Sequence, residues 1–525
     1  MEHRMNTCGL RPMGLGAVAW LLTAWLLGCA APLPPLAPRA DSVALADTAG
    51  TRLGRAVAPR VAQHPGKSGI HALPNPLDAF AARGLLAAAA EKSIDAQYYI
   101  WHGDPAGDLL FEALWDAAER GVRIRLLLDD NTTAGQDATL AALDAHPHIE
   151  LRLYNPFVQR TGRVFGYLSD FQRLNRRMHN KSFTVDNQVT VVGGRNIGDE
   201  YFAIGDGTVF ADLDVLAVGP AVARVSRQFD LYWNSASAYP AAGLLDPADA
   251  TGRAELQARF ARARADPRAV AYLDALRTTP LVRDMLAHEL GFEWARTQLV
   301  HDDPAKTLDT TQRADLLLFP DLVRAIGQPQ KSLDLVSPYF VPGEEGTAAL
   351  TALAARGVTV RILTNSLAAS DVSPVHAGYA KRRVELLRAG VKLYELKPTA
   401  GQDMPDGRTG MSSSSSSGLH AKTFAVDGER IFVGSFNFDP RSALLNTEMG
   451  LVIDSPALAR GLAEGFDTQV PRLAYEVRLA PDGRSLQWVE RRAAGEKVYD
   501  TEPATSALLR LGIGVMSVLP IEWLL

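Results

Sequence analysis

The chain repeats itself. Residues 178–196 read M-H-N-K-S-F-T-V-D-N-Q-V-T-V-V-G-G-R-N, and residues 419–437 read L-H-A-K-T-F-A-V-D-G-E-R-I-F-V-G-S-F-N. His179, Lys181 and Asp186 in the first copy keep the spacing of His420, Lys422 and Asp427 in the second. In each, six residues separate the Asp from a Gly, and an Asn (Asn196, Asn437) stands three residues after that Gly. Other stretches recur in step. K-S-I-D at 92–95 returns as K-S-L-D at 331–334, R-G-V-R-I-R-L-L at 120–127 as R-G-V-T-V-R-I-L at 356–363, and L-R-L-Y at 151–154 as V-K-L-Y at 391–394. The offsets fall between 236 and 241 residues. A whole domain is therefore duplicated, and the fold must be one that two copies build together.

Within a copy, short apolar runs alternate with helical spacing. Residues 92–101 read as a strand. Leu109, Leu110, Ala113, Leu114 and Ala117 mark a helix closed by Gly121, and 122–128 and 149–154 read as further strands. This βαβ order predicts an α/β fold, mainly parallel, with helices on the sheet faces. The boundaries that follow are a first lobe at 76–235, a helical insert at 236–330, a second lobe at 331–470 and a C-terminal extension at 471–525. At 525 residues the chain exceeds what one core usually holds.

The N-terminus reads as a targeting segment. Arg4 and Arg11 precede an apolar run that ends at Gly28-Cys29, too short to span a bilayer. L-L-G-C at 26–29 resembles the bacterial lipoprotein signal, which predicts a signal peptide at 1–29 and lipidation of Cys29. The protein would then be lipid-anchored in the bacterial cell envelope, facing the periplasm. Only Cys8 and Cys29 occur, so the mature chain would carry no disulfide. Residues 30–75, rich in Ala, Pro and Gly, read as a tether. The net charge of −5 speaks against a nucleic-acid-coating surface, and no nucleic-acid partner is expected.

The repeated motif limits the chemistry. On a strand, residues i and i+2 share a face, so His179 and Lys181 point one way, as do His420 and Lys422. An ammonium beside an imidazole repels a metal cation but suits a phosphate, so no metal and no cofactor is expected. Gly194, Asn196, Ser435 and Asn437 read as phosphate-binding positions, through close backbone approach and hydrogen bonds. Two imidazoles serve a two-step substitution at phosphorus: one attacks, while the other delivers and retrieves protons.

The paired motifs resemble those of the phospholipase D superfamily. With M-H-N-K-S-F-T-V-D, G-G-R-N-I-G-D-E-Y and F-A-D-L-D-V-L-A-V-G, the first half resembles bacterial cardiolipin synthases of the C type. That resemblance implies two pseudo-twofold-related lobes, each a mixed sheet with helices on both faces, and an active site between them. It implies phosphatidyl transfer through a phosphohistidine, with His179 as nucleophile and His420 as acid/base. With water as acceptor the same chemistry is a phospholipase D hydrolysis. Nucleases share the motif, and a non-catalytic lipid-binding lipoprotein is a further reading. The partners implied are phospholipids in a membrane, with an accessory protein as a possible addition.

The family orients each histidine with a downstream carboxylate. Here Glu448 fits the second half and Asp214 the first, with Asp212 as the rival to Asp214. Asp186 and Asp427 complete the catalytic set, although their place after the strand suits holding a loop. Arg173, Arg176 and Arg177 form a basic lead-in to His179, either solvated or drawing anionic headgroups. The serine run at 412–417 reads as a flexible loop. The apolar residues 508–525 read as core packing in preference to a membrane-contacting tail.

Overall fold

The computed structural model describes residues 41–525 except 206, 278, 287–288, 371, 401–416, 493–494 and 520–521, together with residues 33, 35 and 39. The predicted signal segment at 1–29 and serines 412–416 lie outside the described residues.

Two large mixed sheets carry the fold. The first contains β1 (Ser68–Leu73), β2 (Ser93–Tyr98), β3 (Arg123–Asp129), β4 (Ile149–Tyr154), β5 (Ser182–Val185) and β6 (Val189–Gly193). A short β7 (Val209–Ala211) stands apart from it, and β8 (Asp214–Val218), β9 (Ala238–Pro240) and β10 (Glu293–Ala295) complete it. The second contains β11 (Thr297–His301), β12 (Ser332–Val336), β13 (Thr359–Asn365) and β14 (Lys392–Leu396). After the short β15 (Ser417–Leu419) it continues with β16 (Lys422–Val426), β17 (Arg430–Gly434), β18 (Met449–Ile453), β19 (Ala474–Leu479), β20 (Leu486–Arg492) and β21 (Gly495–Tyr499).

The strand orders match. One sheet runs β10-β1-β8-β6-β5-β2-β3-β4-β9, the other β11-β18-β17-β16-β12-β13-β14-β19-β20-β21. β2, β3 and β4 pair in parallel, as do β12, β13 and β14, where helices make the crossovers. The hairpins that carry the motifs, β5–β6 and β16–β17, are antiparallel. The sheets are thus mixed, because half of each is built from hairpins, not crossovers.

The crossover helices start where the sequence caps them. Asn75 accepts from Leu77 N–H ahead of helix Pro76–Ala89, and Asp104 accepts from Gly107 N–H ahead of Pro105–Glu119. Each lobe has its own core, with Phe111, Ile124, Leu126 and Phe183 in one and Val360, Ile362, Leu393 and Phe432 in the other. A third cluster joins the sheets, packing Val192, Val215 and Ala217 against Ala425, Val433 and Leu451. Burying such aliphatic side chains contributes roughly 1.5–3 kcal/mol each, which fixes one lobe on the other.

Three expectations about the connecting segments change. Residues 30–75 are not wholly a tether: Arg52–Ala62 is a helix capped by Thr51, and β1 lies inside the first sheet. The insert at 236–330 is not only helical. Its helices pack on the first core through Leu256, Phe260 and Tyr272, but β10 joins the first sheet and β11 the second. The C-terminal stretch is core packing only in part, through Ile513 of helix Ala507–Ser517 and through Leu525, which packs on Val341 and Val375. The helix rests through Ile513 on Leu367 and Ala377, while Leu508, Leu511, Val515 and Val518 face outward. Among the described residues no helix is long and apolar enough to cross a membrane.

Candidate active site

Both histidines sit at the seam just ahead of a motif hairpin, His179 three residues before β5 and His420 two before β16, so neither lies on the strand itself as expected. His179 N–H donates to the carbonyl of Thr447 (2.9 Å), and His420 N–H donates to the carbonyl of Ala211 (2.8 Å). Each bond crosses between lobes. β7 pairs in parallel with β15, and Met178 bridges to Thr447, so each lobe lends backbone to the other's histidine.

The orienting carboxylates cross as well. His179 Nδ1 lies 2.9 Å from Glu448 Oε2, and His420 Nδ1 lies 2.6 Å from Asp212 Oδ2. Glu448 therefore serves the histidine of the other copy, not His420 as expected within one half. Asp214 serves neither histidine. Its carboxylate accepts from Arg83 Nη2 (2.8 Å) and from Arg195 N–H (3.2 Å), and it is fully buried. The register explains the choice. Gly193 pairs with Asp214 and Gly434 with Gly450, so the residues two places earlier, Asp212 and Glu448, are equivalent. Both stand just before the strand, at the sheet edge facing the seam.

The glycine–serine difference follows from these carboxylates. A Cβ on Gly194 would lie 2.2 Å from Asp212 Oδ1, so a side chain there would push Asp212 off His420. In the other half Ser435 Oγ donates to Glu448 Oε2. Neither position presents a group to a phosphate: Gly194 makes room for one carboxylate, and Ser435 holds the other. Asn196 is occupied too, its Oδ1 accepting from Ile100 N–H and its Nδ2 donating to Tyr201 OH. Asn437 differs, because its buried Oδ1 has no hydrogen-bond partner.

Asp186 and Asp427 act at a distance from the imidazoles. Asp186 accepts from the backbone N–H groups of Glu91, Lys92 and Ser93, and Asp427 from those of Gln330, Lys331 and Ser332. Both take a left-handed φ, 51° and 57°, which Asp tolerates better than most residues. Each pins the start of the lobe's first parallel strand to the turn of the motif hairpin. The arginine lead-in is also internal. Arg177 is buried against Asp129 (2.7 Å), Arg176 donates to the carbonyl of Lys306, and Arg173 pairs with Asp170. These cations are committed to protein groups and are neither a solvated loop nor a headgroup lure.

Burial sets the charges. Lys181 Nζ donates to the carbonyl of His179 (2.6 Å), and Lys422 Nζ to that of His420. Desolvation lowers the Lys181 pKa well below its ordinary value, against the attraction of Glu448. Desolvation, then Lys181 and Lys422, hold His179 well below 6.5 and keep it neutral. Desolvation and Lys422 outweigh Asp212 and bring His420 to about 4. The carboxylates diverge. Burial raises Glu448 to about 7 against Lys181 and the Ser435 bond, whereas at Asp212 the burial effect is overcome by His420, Lys422 and Arg195, which hold it at about 2.

Sequence reasoning missed the site's walls. Tyr99 stands edge-on to His179 (4.9 Å between ring centroids), and Lys181 Nζ lies 5.5 Å from the Tyr99 ring centre. Tyr201 and Phe210 flank His420 at 5.1 and 5.4 Å. Asp302, from the segment read as an insert, accepts from Glu448 N–H at 2.7 Å and pairs with Lys306. The only sequence signal for Tyr99 was its place at the end of β2, where open α/β sheets put their sites. Among the described residues no group of three or more His, Cys, Asp or Glu could hold a metal ion.

Comparison with known proteins agrees with this architecture. A family model described as "Cardiolipin synthase, PLD-like domain" matches residues 85–233 and 322–470. Cardiolipin synthase C of Escherichia coli is 49% identical over 477 residues, 90% of this chain and 100% of the relative. An uncharacterized protein of Helicobacter pylori is 30% identical over 416 residues, 78% of this chain and 81% of its own. Among solved structures, phosphatidylserine synthase of Haemophilus influenzae matches with a TM-score of 0.53 at 14% identity, over 89% of this chain and 99% of the other. That likeness is one of fold.

Proposed function

The chain belongs to the cardiolipin synthase family of phospholipase D-like proteins, and on that premise we propose how its site moves a phosphatidyl group between phospholipids. The enzyme is a phosphatidyltransferase that makes cardiolipin from phosphatidylglycerol and a second phospholipid. One observation carries the mechanism: two imidazoles, each held by a carboxylate of the other lobe, share a buried seam with two lysines.

The unequal carboxylates divide the labour. Burial, Lys181 and Lys422 keep the His179 imidazole neutral and nucleophilic, while Glu448, raised to about 7, holds its Nδ1. Asp212, held at about 2, stays ionised and stabilises the His420 imidazolium. An entering phosphodiester anion offsets Lys181 and Lys422, which raises the pKa of His420 and loads it with a proton. His179 Nε2 then attacks phosphorus. The bond to the headgroup oxygen breaks, and His420 protonates the departing alcohol. In the second half His420 takes a proton from the hydroxyl of an incoming phosphatidylglycerol, whose oxygen displaces His179. The lysines balance the charge gathered on the phosphoryl oxygens in both steps.

Purified protein given phosphatidylglycerol, with and without phosphatidylethanolamine, is expected to form a diphosphatidyl product detectable by mass spectrometry. His420→Ala is expected to retain a phosphatidyl adduct on the peptide bearing His179. Free phosphatidic acid without diphosphatidyl product would make the protein a hydrolase, and an adduct on neither histidine peptide would refute the covalent route. Membrane residence follows from the substrates. The anchor is Cys29, lipidated and left as the N-terminus by cleavage just ahead of it, facing the periplasm, and Cys29→Ala is expected to shift the protein out of the lipid-labelled pool.

A further inference from the structure

Exposed apolar side chains on this protein are concentrated in two places. Of the sixteen large hydrophobic residues exposed among those described, four lie at 164–171 and six at 508–519. Along the C-terminal helix and its cap, Leu508, Leu511, Val515 and Val518 are 79%, 65%, 57% and 80% exposed. Their spacing of three, four and three residues puts them on one stripe, opposite Ile513, which faces the protein. In the first lobe Val164, Phe165, Leu168 and Phe171 are outward on three short helical turns.

One residue, Arg441, reaches the flanks of both segments, and each segment leads back to the site. Arg441 donates to Asn175 Oδ1 (2.6 Å) at the end of the first segment, and its Nε donates to the carbonyl of Leu524 beyond the second. From the first segment, Tyr167 OH donates to Asn131 Oδ1 (2.6 Å). Asn131 Nδ2 donates to Tyr99 OH, and Tyr99 stands against His179. From the second, Ile513 packs on Leu367, two residues past Asn365, whose side chain brackets the backbone of Leu419 beside His420.

We propose that these two segments form one bilayer-docking face, which seats the mouth of the site on the membrane that holds its substrates. An apolar patch on a soluble surface needs a partner, and the chemistry of the site names one, since its substrates are lipids that lie in a bilayer. Contributions from both lobes fit a site that itself lies between lobes. The inference rests on the phospholipid reading and adds which surface meets the lipid.

The test uses the full chain carrying Cys8→Ala, in vesicles of phosphatidylglycerol and phosphatidylethanolamine. An environment-sensitive fluorophore is placed through Leu511→Cys, Leu168→Cys or Ala355→Cys, the last exposed at the end of helix Gly343–Ala355, which leads into the start of β13. The parent protein, treated identically, sets the background. Spin-labelled lipid is expected to quench the first two at least twofold and to leave the third within a tenth of its starting value. In parallel, Leu168→Glu and the double variant Leu511→Glu/Val515→Glu are expected to lose at least tenfold activity on bilayer phosphatidylglycerol. Activity on short-chain, monomeric phosphatidylglycerol should be unchanged. Absent quenching, equal quenching at all three positions, or equal losses on both substrates would overturn the proposal. So would fluorophore self-quenching that grows with protein concentration in detergent, which would assign the face to a second copy. If the wild type makes no diphosphatidyl product from either substrate, the functional reading fails, while the quenching pattern still judges the face.

Discussion

Asp212 and Asp214 stand two residues apart, are both buried, and do different work, so changing each to Asn separates chemistry from framework. Asp212 touches His420 at 2.6 Å. In Asp212→Asn the shape survives, but the charge that raises the His420 pKa is lost and an amide dictates the tautomer. Loss of an equivalent carboxylate in hydrolytic triads lowers kcat by about 10⁴, or roughly 5 kcal/mol of barrier. A fall of about 10³ to 10⁴ is expected here, with the melting temperature within a few degrees of wild type. Asp214→Asn does the converse. Arg83 keeps its bonds to Tyr98 OH and the Ala79 carbonyl but faces a neutral partner where a carboxylate stood 2.8 Å away, with both side chains buried. Breaking such a pair costs about 3–5 kcal/mol, which is roughly 10 °C for a lobe of this size. The assay is initial rate by lipid mass spectrometry beside a thermal melt. Asp212→Asn keeping more than a tenth of wild-type kcat would refute the crossed pairing. So would Asp214→Asn losing activity while melting normally.

The carboxylate at His179 has its own signature. Because burial holds Glu448 at about 7, the rate is expected to rise with pH through that region as the carboxylate ionises, and a pH–rate profile reads the midpoint. Ser435→Ala removes a bond that holds the pKa down, so its profile should shift upward in pH. Gly194→Ser puts a Cβ 2.2 Å from Asp212 Oδ1, and a drop of about 10²-fold or more in kcat with little change in KM is expected. Asp186→Ala removes the acceptor of three backbone N–H groups, of which that of Ser93 is buried, costing about 1–3 kcal/mol, so the melt should fall by several degrees while kcat per folded molecule stays within about threefold.

What could be read from the sequence was whatever repeats. The offset of His420 from His179 and the matching strand runs foretold two lobes with a shared site, because a hairpin that carries H-x-K on one face has one orientation once its sheet is set. The carboxylates were harder, because sequence distance misleads at a crossed interface. Glu448 lies nearer in sequence to His420 yet bonds His179, since the two copies exchange edges where β7 meets β15 and Met178 meets Thr447. Aligning Leu451-Val452-Ile453 with Val215-Leu216-Ala217 would have placed Asp212, not Asp214, opposite Glu448. Nothing in the sequence marks the exchange itself, because each contact is made by backbone. Two further strands, β1 and β11, stood hidden in a supposed tether and a supposed insert. Each opens its repeat, at matching places in the strand order, and the stretch holding β10 and β11 passes from one sheet to the other. A duplicated domain whose halves share backbone contacts and trade carboxylates has no functional half, so each histidine acquires its partner only once both lobes have folded and docked.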